Sequence, residues 1–565
     1  MTPSMADVGG ERSPGAGLRP YSEARPRWRA VPPGAGRPAP GRTVDIVAGV
    51  NKAGGNVAGG QAPEAARGNV TPAPGARLLR AGVIAFAAVI VSWLVYAAVS
   101  GPFGVLNEVD LTVYKDGGLI VRHIAPYYAP HAYAPLYDWG GYSDLALKFT
   151  YTPFAAIAFA VASVLNWTTL SIVSVVGNVT ALVAALWFTV GGLGYADRRV
   201  RLGATLLAAA VTFWLQPVVR TIYLGQVNLI LMALILWDLT QPDVTASGGR
   251  RWWKGAATGV AAGVKLVPLI FVPYLLLTRR LREAAATVAG FAATVAVGFV
   301  VLPHDSSRWW LHGMFLADGN RTGFMGWAGN QSLRAIVTRF AGSVAAGQAP
   351  WIAVAGVALA AGLAAAVLLD RAGHPVPALL ATALTGLLVS PVSWDHHWVW
   401  IAPAVAVTGH YALMAVPDRR MGRRGARRAA ALLYGLAAFL IATFGAWPDA
   451  LWEHARNLGS FSLGLLWAQP NTNPVKFATR GDQPSYVEYH WHGFQLLWGN
   501  AYILAGVALL LLLLGLGCWL ARSRPAARPA PGEPAAAAIP RRPVPGARSL
   551  RLPPTPRRPA DPEAQ

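Results

Sequence analysis

Five short stretches hold polar or ionisable residues that their apolar surroundings do not readily explain. In "NEVDLTVYK", Asp110 stands just past the first long apolar run. A carboxylate at that depth can take the proton of a substrate hydroxyl as a general base. It can equally cap a helix or pair with Lys115 or Arg122, and residue types leave both readings open. In "AAGVKLVPL", Lys265 has nine or more uncharged residues on each side. An ammonium there cannot easily reach water, so it calls for a phosphate or a buried acid. "WDHHW" supplies Asp395, His396 and His397. Neighbouring side chains on a helix diverge by about 100°, so two adjacent histidines on one helix face do not share a metal. Hydrogen bonding to a phosphate or sugar, with Asp395 fixing an imidazole tautomer, is the favoured reading. "GNQSLRAIV" offers Asn330, Gln331, Ser332 and Arg334, groups that suit sugar hydroxyls and phosphate oxygens, with helix capping by Asn330 or Ser332 as the alternative. "LGQVN" adds Gln226 and Asn228, which could also serve as interhelical hydrogen bonds.

The elements that position these groups must be membrane helices. Across 565 residues 54% are hydrophobic and 13% charged, too few polar side chains to clothe soluble domains of that length. The apolar residues come in runs of about 20, the length of a helix crossing a ~30 Å hydrocarbon core. Ten such runs are Ala81–Ser100, Leu170–Leu193, Leu202–Val219, Ile222–Leu239, Ala284–Leu302, Trp351–Leu369, Val376–Val389, Val399–Val416, Ala430–Trp447 and Gln495–Leu520. Phe149–Leu165 and Gly255–Leu277 are apolar but contain prolines. The fold class expected is an all-α polytopic membrane protein with about ten to twelve transmembrane or re-entrant helices. Residues 1–78 and 521–565 are Pro-, Gly- and Arg-rich and are expected as disordered tails around a membrane domain of residues 79–520. The start lacks a short apolar core with a cleavage site, so the first run is expected to be an uncleaved anchor.

Charge sets the orientation. The net charge is +22, much of it in the tails and in short loops, and no aromatic-basic module accompanies it, which speaks against nucleic acid. "VPDRRMGRRGARRA" carries six arginines against one acid, the mark of a cytoplasmic loop. Counting outward puts both termini and the "DRAGHP" turn inside. The loops 101–148, 303–350 and 448–494 and the turn "SPVSWDHHW" then fall outside. If 149–165 and 255–277 crossed fully, "ADRRVR" and "GRRWWK" would also lie outside, against the charge rule. Broken hairpins turning near Pro153 and at Lys265–Pro268 keep both inside and are the preferred reading. Most of the 22 tryptophans sit at span ends, as interfacial anchors do. Cys518 is the only cysteine and can close no disulfide within the chain.

In this order, "DLTVYKDGGLIV", "FTYTPFAAI", "YLGQVNLIL", "GVKLVPLIFVPYLLLTRRLREA", "GNQSLRAIV" and "SPVSWDHHWVW" resemble glycosyltransferase family 87. These are the polyprenyl-phosphate-mannose-dependent α-(1→2)-mannosyltransferases of actinobacteria. The resemblance covers residues 81–520 and departs where Thr152 precedes a single Pro153 in place of two prolines. It implies a GT-C type enzyme of the plasma membrane with its site on the extracytoplasmic face, no cofactor and no metal. Its partners would be the lipid-linked mannose donor, a mannose-bearing glycolipid or lipoglycan acceptor and the bilayer. Asp110 matches the family's acidic residue after the first span and would be the base of an inverting displacement. Lys265, Arg334, His396 and His397 are then candidates for the donor phosphate. Tyr114, Tyr151, Gln226, Asn330 and Asp395 are candidates for substrate contacts. Transfer of another polyprenyl-phosphate-linked sugar, or transport of a lipid-linked sugar, are the competing readings.

Overall fold

The computed structural model describes residues 74–100, 105–124, 136–137, 147–244, 247–249, 251–316, 325–415, 422–447, 464–467, 478–480, 483–485 and 487–523. The expectations for the two tails, residues 1–73 and 524–565, lie outside the described residues. The protein is a helical membrane protein. Among the described residues seven helices are long and apolar enough to cross a bilayer, and a bent pair supplies an eighth candidate. Among the described residues the one strand pair is short and antiparallel, Ala478–Arg480 with Gln483–Ser485.

The chain runs through α1 (Pro74–Ser100), α2 (Val109–Val121), α3 (Pro153–Ala162), α4 (Trp167–Gly192) and α5 (Arg198–Phe213). There follow α6 (Gln216–Leu224), α7 (Asn228–Thr240), α8 (Ala256–Val264), α9 (Phe271–Leu277) and α10 (Leu281–Val301). The second half holds α11 (Leu333–Ala341), α12 (Val344–Arg371), α13 (Pro375–Val389), α14 (Ile401–Ala415), α15 (Gly422–Phe444) and α16 (Ala501–Arg522). Lipid is as apolar as leucine, so helices in a membrane gain from close approach rather than from burial. Gly82 of α1 illustrates this: a Cβ there would stand 2.6 Å from the carbonyl oxygen of Gly203 on α5.

One expectation fails between residues 202 and 239, where two uninterrupted spans are replaced by three helices. Pro217 cannot bond back into the preceding turn and starts α6 afresh. Gly225, at φ 71°, then ends α6 in the left-handed conformation, and α7 departs at 116° to it. A nine-residue helix is thereby laid across one end of the bundle.

The two proline-containing segments do not cross as single helices. The helical part of 149–165 is only α3, which at ten residues spans about 15 Å. It begins at Pro153, with Thr152 capping it and donating to Gly263 O. In 255–277 the helix breaks at Lys265, whose backbone is extended. Gly255, Gly259 and Gly263 face Glu283, Thr287 and Thr294 in turn, so α8 and α10 run in the same direction. The intervening chain must therefore return to its starting end, where Lys254 meets Glu283 at 3.6 Å.

That return gathers the basic loops together. Tyr195 bonds His410 (3.1 Å), His374 bonds Tyr411 (2.7 Å), and Tyr274 donates to Asp370 (2.8 Å). "ADRRVR", "GRRWWK", "TRRLRE" and "DRAGHP" thus share one end. The opposite end collects the bridges Leu215 with Gly445 and Asn330 with Trp394, and Tyr223 O, which accepts from the amides of Asn107 and Glu108.

Candidate active site

The polar residues converge at the end opposite the basic loops. Asp110 lies in the first turn of α2, where the helix dipole favours a negative group. The preceding residue but one fixes that turn. Glu108 adopts the left-handed conformation (φ 54°), its backbone tied to Tyr223 O and its carboxylate to the Ser171 hydroxyl. Burial pushes the Glu108 carboxyl up from its ordinary value, and the Ser171 bond partly opposes this. Asp110 itself is half-buried and receives no hydrogen bond among the described residues. Tyr114 follows one turn later on the same helix, and the ring of its partner Tyr151 faces Lys265 Nζ from 5.5 Å.

Tyr114, one turn along α2, donates to Gln226 Oε1 at 2.6 Å and lies 2.7 Å from the Tyr151 hydroxyl. Tyr151 also reaches Gln226 Oε1, at 3.1 Å. Gln226 is delivered by the Gly225 turn between α6 and α7, and Asn228 opens α7 two residues later. Lys265 Nζ, freed from helical packing by the break after α8, bonds Asn228 Oδ1 (2.9 Å) and His397 Nε2 (2.9 Å). Asp110, Tyr114, Tyr151, Gln226, Asn228, Lys265 and His397 therefore form one group. A carboxylate and a lysine amine stand together with aromatic and amide groups beside them, the complement needed to move a proton from a hydroxyl and steady a leaving phosphate. No three His, Cys, Asp or Glu residues converge as a metal site among the described residues.

A family profile described as "Glycosyltransferase family 87" matches residues 149–391. A polyprenol-phosphate-mannose-dependent alpha-(1-2)-phosphatidylinositol pentamannoside mannosyltransferase of Mycobacterium tuberculosis is 36% identical over 346 residues, covering 60% of this chain and 74% of that one. Its counterpart in name from Mycolicibacterium smegmatis is 32% identical over 56% of this chain and 72% of its own. The chain belongs to glycosyltransferase family 87. It is a membrane-embedded glycosyltransferase. A phosphatidylinositol mannoside mannosyltransferase of M. tuberculosis, also named as polyprenol-phosphate-mannose-dependent, is 34% identical over 47% of this chain and 62% of that one. No solved structure matches the chain.

Behind the reacting group of this family 87 enzyme lies a second, closed layer, and three expected site residues belong to it or outside it. Asp395 was expected to touch substrate, but it is 2% exposed and fully engaged. Its carboxylate accepts from Gln216 (2.6 Å), Trp467 (3.3 Å) and the His396 amide (2.9 Å), lies 3.1 Å from His396 Nδ1, and has Arg220 Nε at 3.8 Å. It lies against the His396 ring, and both of its oxygens are engaged within the protein. Asn330, 0% exposed, is a tie rather than a sugar contact: Nδ2 donates to Met325 O (2.9 Å) and Oδ1 accepts from the Ser393 amide (3.0 Å). The helix cap nearby is Ser332, which accepts from the Ala335 amide. Arg334 is turned toward α12, where it bonds Gln348 (3.3 Å) and stacks on Trp351 (4.9 Å). The two histidines part company as their spacing demands, with ring planes at 87°: His396 faces Asp395 and His397 faces Lys265.

Two arginines were missed. Arg220 sits on α6 between Asp395 and the rings of Tyr223 and Trp467. Its one signal was to be a lone cation in "QPVVRTIYL", taken as a gap between spans. Arg339 is buried in α11 and donates to the carbonyls of Gly326, Gly499, Trp327 and Asn330 and to Asn500 Oδ1. Nothing in "VTRF" distinguishes it from a surface residue in a helix's last turn.

Proposed function

We propose that this enzyme transfers mannose from polyprenyl-phosphate-mannose to the 2-hydroxyl of a mannose-bearing acceptor, with inversion to an α-linkage, on the extracytoplasmic face. The observation that carries the reading is the Asp110 carboxylate, without a hydrogen bond among the described residues, one turn before Tyr114, whose partner Tyr151 faces Lys265, itself bonded to His397. Asp110 takes the acceptor proton while the hydroxyl oxygen attacks the anomeric carbon. The phosphate leaves already ionised, so it needs charge stabilisation more than a proton, and Lys265 and His397 are placed to give it. Tyr114, Tyr151 and Gln226 are the groups available to sugar hydroxyls.

The names of the relatives support the donor class and make a phosphatidylinositol mannoside the first acceptor to test. The sidedness rests on charge. Basic loops favour the cytoplasm, so their gathering at one end turns the Asp110 group outward and keeps both ends of the membrane domain inside. A lipid-linked donor fits an embedded enzyme, since its chain can stay in the bilayer while its headgroup enters between helix ends.

The test uses enzyme purified into nanodiscs with radiolabelled polyprenyl-phosphomannose and a phosphatidylinositol mannoside. Transfer by the wild type and its loss in folded Asp110→Asn support base and donor together, and linkage analysis of the product checks the α-1,2 assignment. Transfer from a different lipid-linked sugar alone would overturn the mannose reading.

A further inference from the structure

His397 is bonded at both ring nitrogens. Its Nδ1 accepts from the Trp394 backbone N–H at 3.2 Å, a back-bond across the turn Asp395–Trp400, and its Nε2 lies 2.9 Å from Lys265 Nζ. A backbone N–H only donates, so Nδ1 presents its lone pair and the ring hydrogen is on Nε2. That N–H is aimed at Lys265, and it finds an acceptor only if Nζ has a lone pair. An ammonium has none. Lys265 directs a hydrogen to Asn228 Oδ1 at 2.9 Å, an atom identified by the same amide donating through Nδ2 to His396 O at 3.0 Å. The Tyr151 ring faces Nζ from 5.5 Å. The line between Nε2 and Nζ thus carries one hydrogen, and it belongs to His397.

Resting on the function proposed above, we propose that Lys265 and His397 form a proton-coupled phosphate anchor, an amine and a neutral imidazole that take up one proton when a phosphodiester anion enters. The proton comes from solvent and bonds to the Nζ lone pair. The hydrogen bond from Nε2 to Nζ breaks, and both the imidazole N–H and the new ammonium turn to phosphate oxygens. No electrons are exchanged with another species. When the bond from the anomeric carbon breaks with its electron pair on the phosphate, the headgroup goes from one negative charge to two and meets the ammonium already in place. The other titratable groups facing the pair are Asp110 and Tyr114 from α2, Tyr151 from the extended segment before α3, and Asp395 and His396 from the same turn, with Arg220 of α6 behind Asp395. Asp238 of α7 is held at the opposite end by the Gly255 and Thr258 amides. Asp110 favours the protonated lysine, so its charge assists the uptake.

The probe is farnesyl methyl phosphate, a phosphodiester that keeps one charge across the range studied. Full-length enzyme in nanodiscs is titrated by calorimetry at about pH 8 in buffers of different ionisation enthalpy. The wild type is expected to take up close to one proton per probe bound, with affinity falling toward tenfold for each unit of rising pH. Lys265→Arg carries a permanent charge, so its uptake should be near zero and its affinity flat with pH. In His397→Gln the amide oxygen accepts from an ammonium, which predicts the same flat profile should the arginine variant fail to fold. Wild-type binding without proton uptake overturns the anchor, as does failure of the wild type to bind the probe. Mannose transfer assayed on the same preparation separates the two ideas. Transfer with zero uptake removes only the coupling, and uptake without transfer removes only the mannosyl reading.

Discussion

Asp110 and Asp395 stand in adjacent layers of the same end of the molecule, yet their surroundings are opposite. Asp110 is half-buried with no hydrogen bond to its carboxylate among the described residues, whereas Asp395 is closed in and receives bonds from Gln216, Trp467 and its own neighbour. A second contrast separates Lys265 and His397, an amine and an imidazole nitrogen set against each other, from Arg339 and Asn330, whose donors are all directed to oxygen acceptors. A buried polar group left unsatisfied costs about 1–3 kcal/mol, so the dense bonding around Asp395, Asn330 and Arg339 stabilises that layer. The closed layer supplies rigidity: Arg339 holds Asn330, Asn330 holds the segment 391–394, and that segment leads into the turn bearing His396 and His397.

Breaking the outer layer should abolish chemistry without melting the fold. Asp110→Asn is expected to lower kcat by about 10²–10⁴-fold. Because Asp110 has no hydrogen bond to lose among the described residues, the thermal midpoint of the variant should stay within measurement error of the wild type. A large fall in both would mean that Asp110 belongs to the supporting layer.

Breaking the inner layer should do the reverse. Arg339→Leu strips four carbonyls and Asn500 of a donor and leaves Glu488 without its nearby positive charge. Removing one partner from a buried charged network typically costs about 3–5 kcal/mol. Thermal unfolding in nanodiscs should show the loss even though Arg339 lies outside the reacting group. Asn330→Ala removes a smaller piece of the same support, at about 1–3 kcal/mol. Because it loosens the turn bearing His397, it should also raise the donor KM more than it lowers kcat, a split that steady-state kinetics would reveal.

What could be read from the amino acids alone follows the same division. Membrane helices are legible because about 20 apolar residues in a row have few other uses, and the sharing of one end by the basic loops followed from charge. Lys265 drew attention because an ionisable group in apolar surroundings demands a partner, and the structure sets it against His397. The break at Pro217 and Gly225 was written in the residues but overridden by hydropathy, which averages a kinked pair into two spans. Arg339 and Arg220 were illegible for a different reason. Their partners are backbone carbonyls and residues more than 100 positions away, as with Arg339 and Gly499 or Arg220 and Asp395, and no local pattern records such a bond. Asn330 was legible as important but not as a tie, since an amide suits a sugar and a turn equally well.

Arg334 gives the finest test of the contrast, because sequence placed it at the donor phosphate and geometry does not. Its guanidinium stacks on Trp351 and bonds Gln348 across an exposed 3.3 Å contact. Exposed pairs of that kind contribute about 0–1 kcal/mol, and a cation over a ring at a surface adds about 0.5–1 kcal/mol. Arg334→Ala should therefore cost at most about 1–2 kcal/mol of stability and leave kcat and the donor KM within about twofold of wild type. A tenfold rise in donor KM would instead show that α11 turns toward the site when donor binds, and the layer now counted as support would have to be redrawn to include a moving cation.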